Sequence, residues 1–388
     1  MRFLMTTHRG AGHFGPMIPF AHALLRTGHD VLVAIPRSAA PMVVRAGLEP
    51  HPLDEPLDEI EAPYWEAAAA ADDAAAAKIA VTDVFGRLRG GAMLPGLLDL
   101  VAGWRPDVVI HEITEIAGVA VAERHGVPHV RLGIGLVMDQ HWGLELMNRP
   151  LEELRARLGV RSDPRGARLA GSPYLTLAPR SLELPSTRPD TAWRFRAPLG
   201  GGRLPDWWPG NDDPLVYVSF GTAVPETDDF LGLCRGVIGA VADMPIRVLL
   251  TVGNDHDPAG LGPLPRPVHV ERWVPQADVM PHAAAMVGHG GSGSTLLAMA
   301  AGVPLAVVPF FADQPANAER IAELGAGIAL PRGAAAVPRL RGAIGALLHD
   351  RTYRRRAGLV AADVAELPPV DEAVGVLEEI ALGRALAA

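Results

Sequence analysis

Between Met286 and Gln314 the chain reads MVGHGGSGSTLLAMAAGVPLAVVPFFADQ, with Gly290, Gly291 and Gly293 bending the backbone between an apolar strand and a short helix. Glycines let main-chain N–H groups converge on one point. A helix starting there adds unpaired N–H groups and a positive dipole end, so the segment is suited to hold phosphate oxygens. His289, Ser292 and Ser294 supply further donors, and an acid-amide pair, Asp313-Gln314, closes the segment. The layout is that of a nucleotide-diphosphate site. A second group stands near the N-terminus, where Gly10-Ala11-Gly12-His13-Phe14-Gly15 follows a strand and precedes a helix. It spells GxGxxG, and Arg37 after the second strand would permit an NADP reading. His13 within the fingerprint and Pro16 behind it instead suit a turn that displays an imidazole in a cleft, where a neutral ring can serve as a general base.

The elements that must carry these groups alternate between strand and helix. The first half opens with a strand at Arg2–Thr7, a helix from Pro16 to Thr27 stopped by Gly28, and a strand at Val31–Ile35; a later unit repeats this with a strand at Asp107–His111, a helix at Ile116–His125 and a strand at Val127–Leu132. RFRAPLGGGRLPDWWPGNDDP, residues 194–214, holds too much Pro and Gly for regular structure and reads as a linker. Beyond it, strands are expected at Leu215–Phe220, Arg247–Val252, His269–Val270, Met286–Val287 and Leu305–Pro309, with a helix at Ser294–Ala301 and an amphipathic helix over Val370–Leu386 that crosses back onto the first half. The predicted class is α/β, with two doubly wound Rossmann-like domains facing each other across a cleft: residues 1–200, a linker at 201–213, a second domain at 214–368 and the returning helix at 369–388.

Composition narrows the chemistry. At 388 residues the chain is too long for one ordinary core, and 49% hydrophobic with 20% charged residues is globular. No apolar run approaches a membrane span and MRFLMTTH is not a signal peptide, so a cytoplasmic protein is expected. A formal charge of −9 argues against a nucleic-acid surface. Cys234 is alone, which excludes a disulfide or a cysteine metal site. Among 35 basic residues only Lys78 is lysine, and it sits in an Ala-rich stretch without a motif, which removes P-loop, Schiff-base and Tyr/Lys dehydrogenase chemistry.

Taken together, Gly12-His13 with Pro16, RPDVVIHE at 105–112 with Ala117-Gly118, VYVSFGT at 216–222, ERWVPQADVMPH at 271–282, HGGSGST at 289–295 and ADQPANAERIAELGAG at 312–327 resemble a glycosyltransferase of the GT-B fold. The likeness is to the UDP-glycosyltransferase-like family (glycosyltransferase family 1), in its bacterial natural-product branch, and it covers nearly the whole chain. It implies that His13 takes a proton from the acceptor hydroxyl and that a carboxylate orients it. Glu112 stands where many relatives have aspartate, with Glu115 as its competitor. For the donor, the resemblance implies Trp273 stacked on the base, Val274 and Gln276 framing base and ribose, and Ser219 and Thr222 on the phosphate side. His289, Gly291, Ser292 and Ser294 would hold the diphosphate, and Asp313 with Gln314 the sugar hydroxyls.

Leu297 stands where UDP-using relatives commonly carry a glutamate bonded to ribose; an apolar side chain fits a 2′-deoxyribose, so a dTDP-sugar is favoured over a UDP-sugar. The implied reaction is inverting and metal-independent, with no cofactor beyond the nucleotide-sugar co-substrate. Asp255-His256-Asp257 reads as a turn rather than a metal site. A small hydrophobic aglycone would meet Trp65, Phe85, Met138, His141, Trp142 and Met147 in the first half, in a monomer or a homodimer. A nucleotide-sugar epimerase on the same fold and a non-catalytic partner of another glycosyltransferase are the alternatives. The first would work without an acceptor; the second would be expected to lack His13 or the HGGSGST loop.

Overall fold

The computed structural model describes residues 1–136, 140–184, 191–200, 213–226 and 229–384, with the side chains of Gln140, His141, Trp142 and Glu226 excepted. Thirteen strands among the described residues form two sheets, every pair parallel. The first contains β1 (Arg2–Thr6), β2 (Asp30–Pro36), β3 (Pro50–Leu53), β4 (Val108–Glu112), β5 (His129–Leu132), β6 (Tyr174–Thr176) and β7 (Trp193–Arg194), in the order β3-β2-β1-β4-β5-β6-β7. The second contains β8 (Leu215–Ser219), β9 (Arg247–Thr251), β10 (Val268–Glu271), β11 (Ala285–Gly288), β12 (Leu305–Val307) and β13 (Gly327–Ala329), in the order β10-β9-β8-β11-β12-β13. The expected α/β class with two doubly wound sheets is what the chain forms. Strands such as FLMT and VVIHE are buried on both faces because helices cover each side of a parallel sheet.

Each sheet has an apolar cluster on either face. Two features join the halves. Leu136, Ala178 and Leu182 from the first half pack in the same cluster as Tyr217, Met286 and Met299 of the second. At the other end, Val370, Ala373, Val374, Leu377 and Ile380 pack with Phe3, Phe20 and Val33 beside the first sheet, and Arg26 donates to Asp371. The helix doing this is shorter than Val370–Leu386: a 3-10 turn at Val370–Glu372 precedes the helix Ala373–Ala381. The expected linker, residues 201–213, lies outside the described residues except for Asp213.

Both sheets reverse their strand order at an inner pair, β1 with β4 and β8 with β11. Ligands of open parallel sheets settle beyond the carboxyl ends of strands at such a reversal. Thr6 pairs with His111, and Ser219 with Gly288. The loops that follow therefore bring His13 beside Glu112 in one half, and the SFGT turn beside the glycine bend in the other. Between β3 and β4 runs a long helical excursion, Asp58–Ala69, Asp73–Lys78, a wide π-type stretch at Ile79–Arg89 and Gly90–Trp104, which forms the outer wall of the first site.

Candidate active site

His13 sits in a four-residue helix, Ala11–Phe14, that opens directly off β1, with a 3-10 turn Gly15–Met17 and the helix Ile18–Arg26 continuing behind it. Its side chain is about one-fifth exposed, and its Nδ1 lies 3.0 Å from Glu112 Oε1. A carboxylate only accepts, so Nδ1 carries the proton and Nε2 keeps a lone pair. Glu112 is fully buried. Burial alone would raise its pKa, but the His13 charge and hydrogen bond, helped by His8 and the Thr114 hydroxyl, hold it down to about 2. Glu115, the competing carboxylate, points elsewhere. It accepts from the Thr6 hydroxyl and from the N–H groups of Ala117 and Gly118, capping the helix Ala117–His125; burial pushes its pKa up to about 7.

Around His13 stands an aromatic wall. Phe85 meets the His13 ring edge-on at 5.1 Å and stacks on His8 at 5.2 Å, while Trp65, 37% exposed, lies 6.0 Å from Phe85. Behind them Arg89 pairs with Glu61 through two 2.7 Å bonds, both residues buried, and the guanidinium lies 5.2 Å from the centre of the Phe85 ring. Arg9 and Trp65 also donate to Glu61. Of the remaining expected aglycone contacts, Met147 is corrected: it is 2% exposed in the core under the first sheet, packed among Leu94, Val119 and Leu151, because its helix turns that face inward. Met138, and the side chains of His141 and Trp142, lie outside the described residues.

In the second half the helix begins at Ser292, not Ser294, with Gly291 as its N-cap, and ends at Ala300. That shift decides what the hydroxyls do. Ser292 Oγ donates to Asp313 Oδ2 at 2.5 Å and accepts from Leu136 N and Asn317 Nδ2. Ser294 Oγ donates to Gln276 Oε1, and Gln276 Nε2 donates to Ser219 Oγ at 3.1 Å. Both serine hydroxyls are engaged in tying loops together, which leaves the main-chain N–H groups of the first helical turn as the anion-facing donors. His289 is wedged between two glycines: a Cβ on Gly221 would lie 2.6 Å from its ring and one on Gly291 2.2 Å, so neither position admits a side chain. Burial lowers the His289 pKa to about 4, so the ring is neutral. Thr222 is exposed at the same turn.

Trp273 projects from the turn after β10 and is 60% exposed, a large apolar face open to a planar partner. Val274 has its side chain 5% exposed in the core of the second half, in one cluster with Leu249 and Met286. Asp313 accepts from Ser292 and from Asn317 Nδ2 at 3.0 Å; burial raises its pKa, and the His13 charge across the cleft acts in the opposite direction. The preceding Ala312 adopts φ 56, a left-handed conformation that disfavours a side chain by roughly 1–2 kcal/mol. Gln314 is 4% exposed, and its Oε1 holds the N–H groups of Phe310 and Phe311. Sequence reasoning missed His8, Thr114, Arg89 and Glu61, which belong to no short motif, and also Asn317, which lies inside the ADQPANAERIAELGAG stretch. In the DHD stretch, His256 Nε2 donates to Pro225 O and Asp257 accepts from Ala259 N within the turn. No group of three His, Cys, Asp or Glu suited to a metal occurs among the described residues. Nor, among them, is any helix long and apolar enough to cross a membrane.

Two facing parallel sheets with an imidazole-carboxylate pair on one side and a helix-capped glycine bend on the other define a GT-B glycosyltransferase. Models of the erythromycin biosynthesis protein CIII-like N-terminal and C-terminal domains match residues 22–219 and 235–380, so the chain belongs to that family of glycosyltransferases. It is 33% identical to the L-demethylnoviosyl transferase of Streptomyces niveus over 98% of each chain. With the demethyllactenocin mycarosyltransferase of Streptomyces fradiae it shares 31% identity over 92% of this chain and 84% of that one. Among solved structures it superposes on the glycosyltransferase SnogD of Streptomyces nogalater with a TM-score of 0.80 at 29% identity, covering 98% and 99% of the two chains. VinC in complex with dTDP gives 0.78 at 27% identity, covering 99% and 100%. The protein is a glycosyltransferase, and a nucleotide-sugar is its co-substrate.

Proposed function

We propose that the enzyme is an inverting, metal-independent glycosyltransferase that moves a sugar from a dTDP donor onto a hydroxyl of a hydrophobic natural-product aglycone. The observation that carries this is the 3.0 Å contact of His13 Nδ1 with the buried Glu112, which leaves Nε2 free toward the cleft. The acceptor oxygen attacks the anomeric carbon from the face opposite the diphosphate, forming the C–O bond as the bond to the phosphate oxygen breaks. His13 Nε2 takes the acceptor proton, and Glu112 stabilises the imidazolium that results. The departing diphosphate gains charge against the N–H groups at the start of Ser292–Ala300, with His289 beside them. Trp273 stacks on the base, and Asp313 with Gln314 meets the sugar. Trp65 and Phe85 line the aglycone side.

Leu297, partly buried on the donor helix Ser292–Ala300, supports the thymidine preference, because it offers a ribose 2′-hydroxyl no partner. The VinC complex with dTDP, together with the L-demethylnoviosyl transferase, the demethyllactenocin mycarosyltransferase and the TDP-daunosamine transferase DnrS among the relatives and the match to an erythromycin biosynthesis family, supports the donor class and an antibiotic-type acceptor. Calorimetry with dTDP, UDP and NADPH, followed by NMR of the anomeric centre of the product, tests the reading. Tight dTDP binding, no NADPH response, inversion at the anomeric carbon and full activity in EDTA are expected. Retention of configuration, or loss of activity on chelation, would overturn the mechanism.

A further inference from the structure

We infer that Thr114 is a positioning residue for the transfer, folding the glutamate at position 112 back so that one of its oxygens meets His13. This rests on the reading of His13 as the base. Glutamate at the end of β4 has one methylene more than aspartate, and a free side chain of that length samples many rotamers. Here it has one. Thr114 N donates to Glu112 Oε2 at 2.7 Å, and Thr114 Oγ donates to Oε1 at 2.6 Å, the oxygen that also accepts from His13. Thr114 Oγ lies 3.5 Å from His13 Nδ1, close to both partners.

Thr114 is itself held. Its carbonyl accepts from His8 Nε2 at 3.1 Å, and His8 is fully buried with its ring stacked on Phe85, the side chain that abuts His13. Two strand ends are thus cross-tied through one threonine: β1 through His8 and β4 through Glu112. A carboxylate in this buried place needs every donor it has, because an unpaired oxygen would meet no water. Removing the Thr114 hydroxyl leaves Oε2 on the backbone N–H and frees Oε1 to rotate off the imidazole.

Thr114→Val keeps the shape and deletes the hydroxyl; Thr114→Ser keeps the hydroxyl. Thr114→Val is expected to lower kcat by roughly 10- to 100-fold with little change in the KM for donor, and Thr114→Ser to recover most of the rate. Dissociation constants for dTDP, measured on both variants, report whether the donor half is intact. A crystal structure of Thr114→Val is expected to show the Glu112–His13 contact broken. An unchanged kcat in Thr114→Val, equal impairment in Thr114→Ser, or an intact Glu112–His13 contact in the crystal would each overturn the positioning role. Full activity of His13→Ala would instead remove the base, and the crystal would still decide what Thr114 does to Glu112.

Discussion

The two halves of the cleft solve their positioning problems differently. On the donor side, His289, Gly291, Ser292, Ser294, Asp313 and Asn317 fall within one stretch, carried by a bend, the first turn of one helix and the start of the next, with Leu136, Gly221 and Gln276 reaching in from other segments. On the acceptor side, His13 meets a carboxylate 99 residues away, backed by an aromatic and an ion pair from the excursion between β3 and β4. Main-chain donors need little support once the glycines fix the bend. An imidazole base needs its tautomer, its ring plane and its carboxylate all held by separate elements. The first kind of site tolerates loss of single hydroxyls; the second depends on each member.

The sharpest way to break that contrast is His13→Ala. Removing a general base is expected to reduce transfer by about 10²–10⁴-fold, with dTDP affinity unchanged by calorimetry, since the donor loops share no strand with His13. Next, Trp273→Ala should weaken dTDP binding by roughly 1–3 kcal/mol, the usual value of one stacked base, and leave kcat at saturating donor nearly intact. Arg89→Met should destabilise the first half by roughly 3 kcal/mol in chemical denaturation, because Glu61 would keep a buried charge without its bidentate partner. Leu297→Glu is expected to shift the dTDP-to-UDP affinity ratio toward UDP by about tenfold, the order of one charge-assisted hydrogen bond.

The smallest effect is on pH dependence. Burial lowers His8 and His111 to about 3 and His129 to about 4, against an ordinary 6.5. The unfolded chain takes up protons there that the folded chain refuses, so this stability is present above pH 6.5 and lost as pH falls through the folded values. Glu115, raised to about 7 from 4.5, acts with the opposite sign, stabilising below 4.5 and losing that contribution as pH rises through 7. With His289 also lowered to about 4, four histidines outweigh Glu115 and the raised Asp313, so the thermal midpoint should be lower at about pH 5 than at about pH 7.5 in scanning calorimetry. His129→Asn should flatten that dependence.

Much of the frame was legible in the sequence. Strands such as Arg2–Thr6, Leu215–Ser219 and Arg247–Thr251 fall within a residue of their expected ends, because continuous apolar runs bounded by turn residues leave few other choices. The short strands Pro50–Leu53, Tyr174–Thr176, Trp193–Arg194 and Gly327–Ala329, each at a sheet edge or next to one, escaped, since two to four residues carry no period of their own. The helix after the glycine bend began two residues early for a related reason: Ser292 is a poor interior helix former, but its hydroxyl is drawn onto Asp313 and Asn317 from the next unit.

What the sequence determined by itself was whatever local chemistry enforces: the phosphate-ready glycine bend, the imidazole in its turn, and the alternation of strand and helix. Tertiary structure alone decided which glutamate faces His13, that Val274 and Met147 turn into cores, that the serine hydroxyls tie loops together, and that Thr114 and His8 stand behind the base. The physical reason is range. A bend or a helix start depends on neighbours a few residues away, whereas a buried carboxylate takes its partners from whichever strands pack beside it, and only the assembled sheet brings β1 and β4 together.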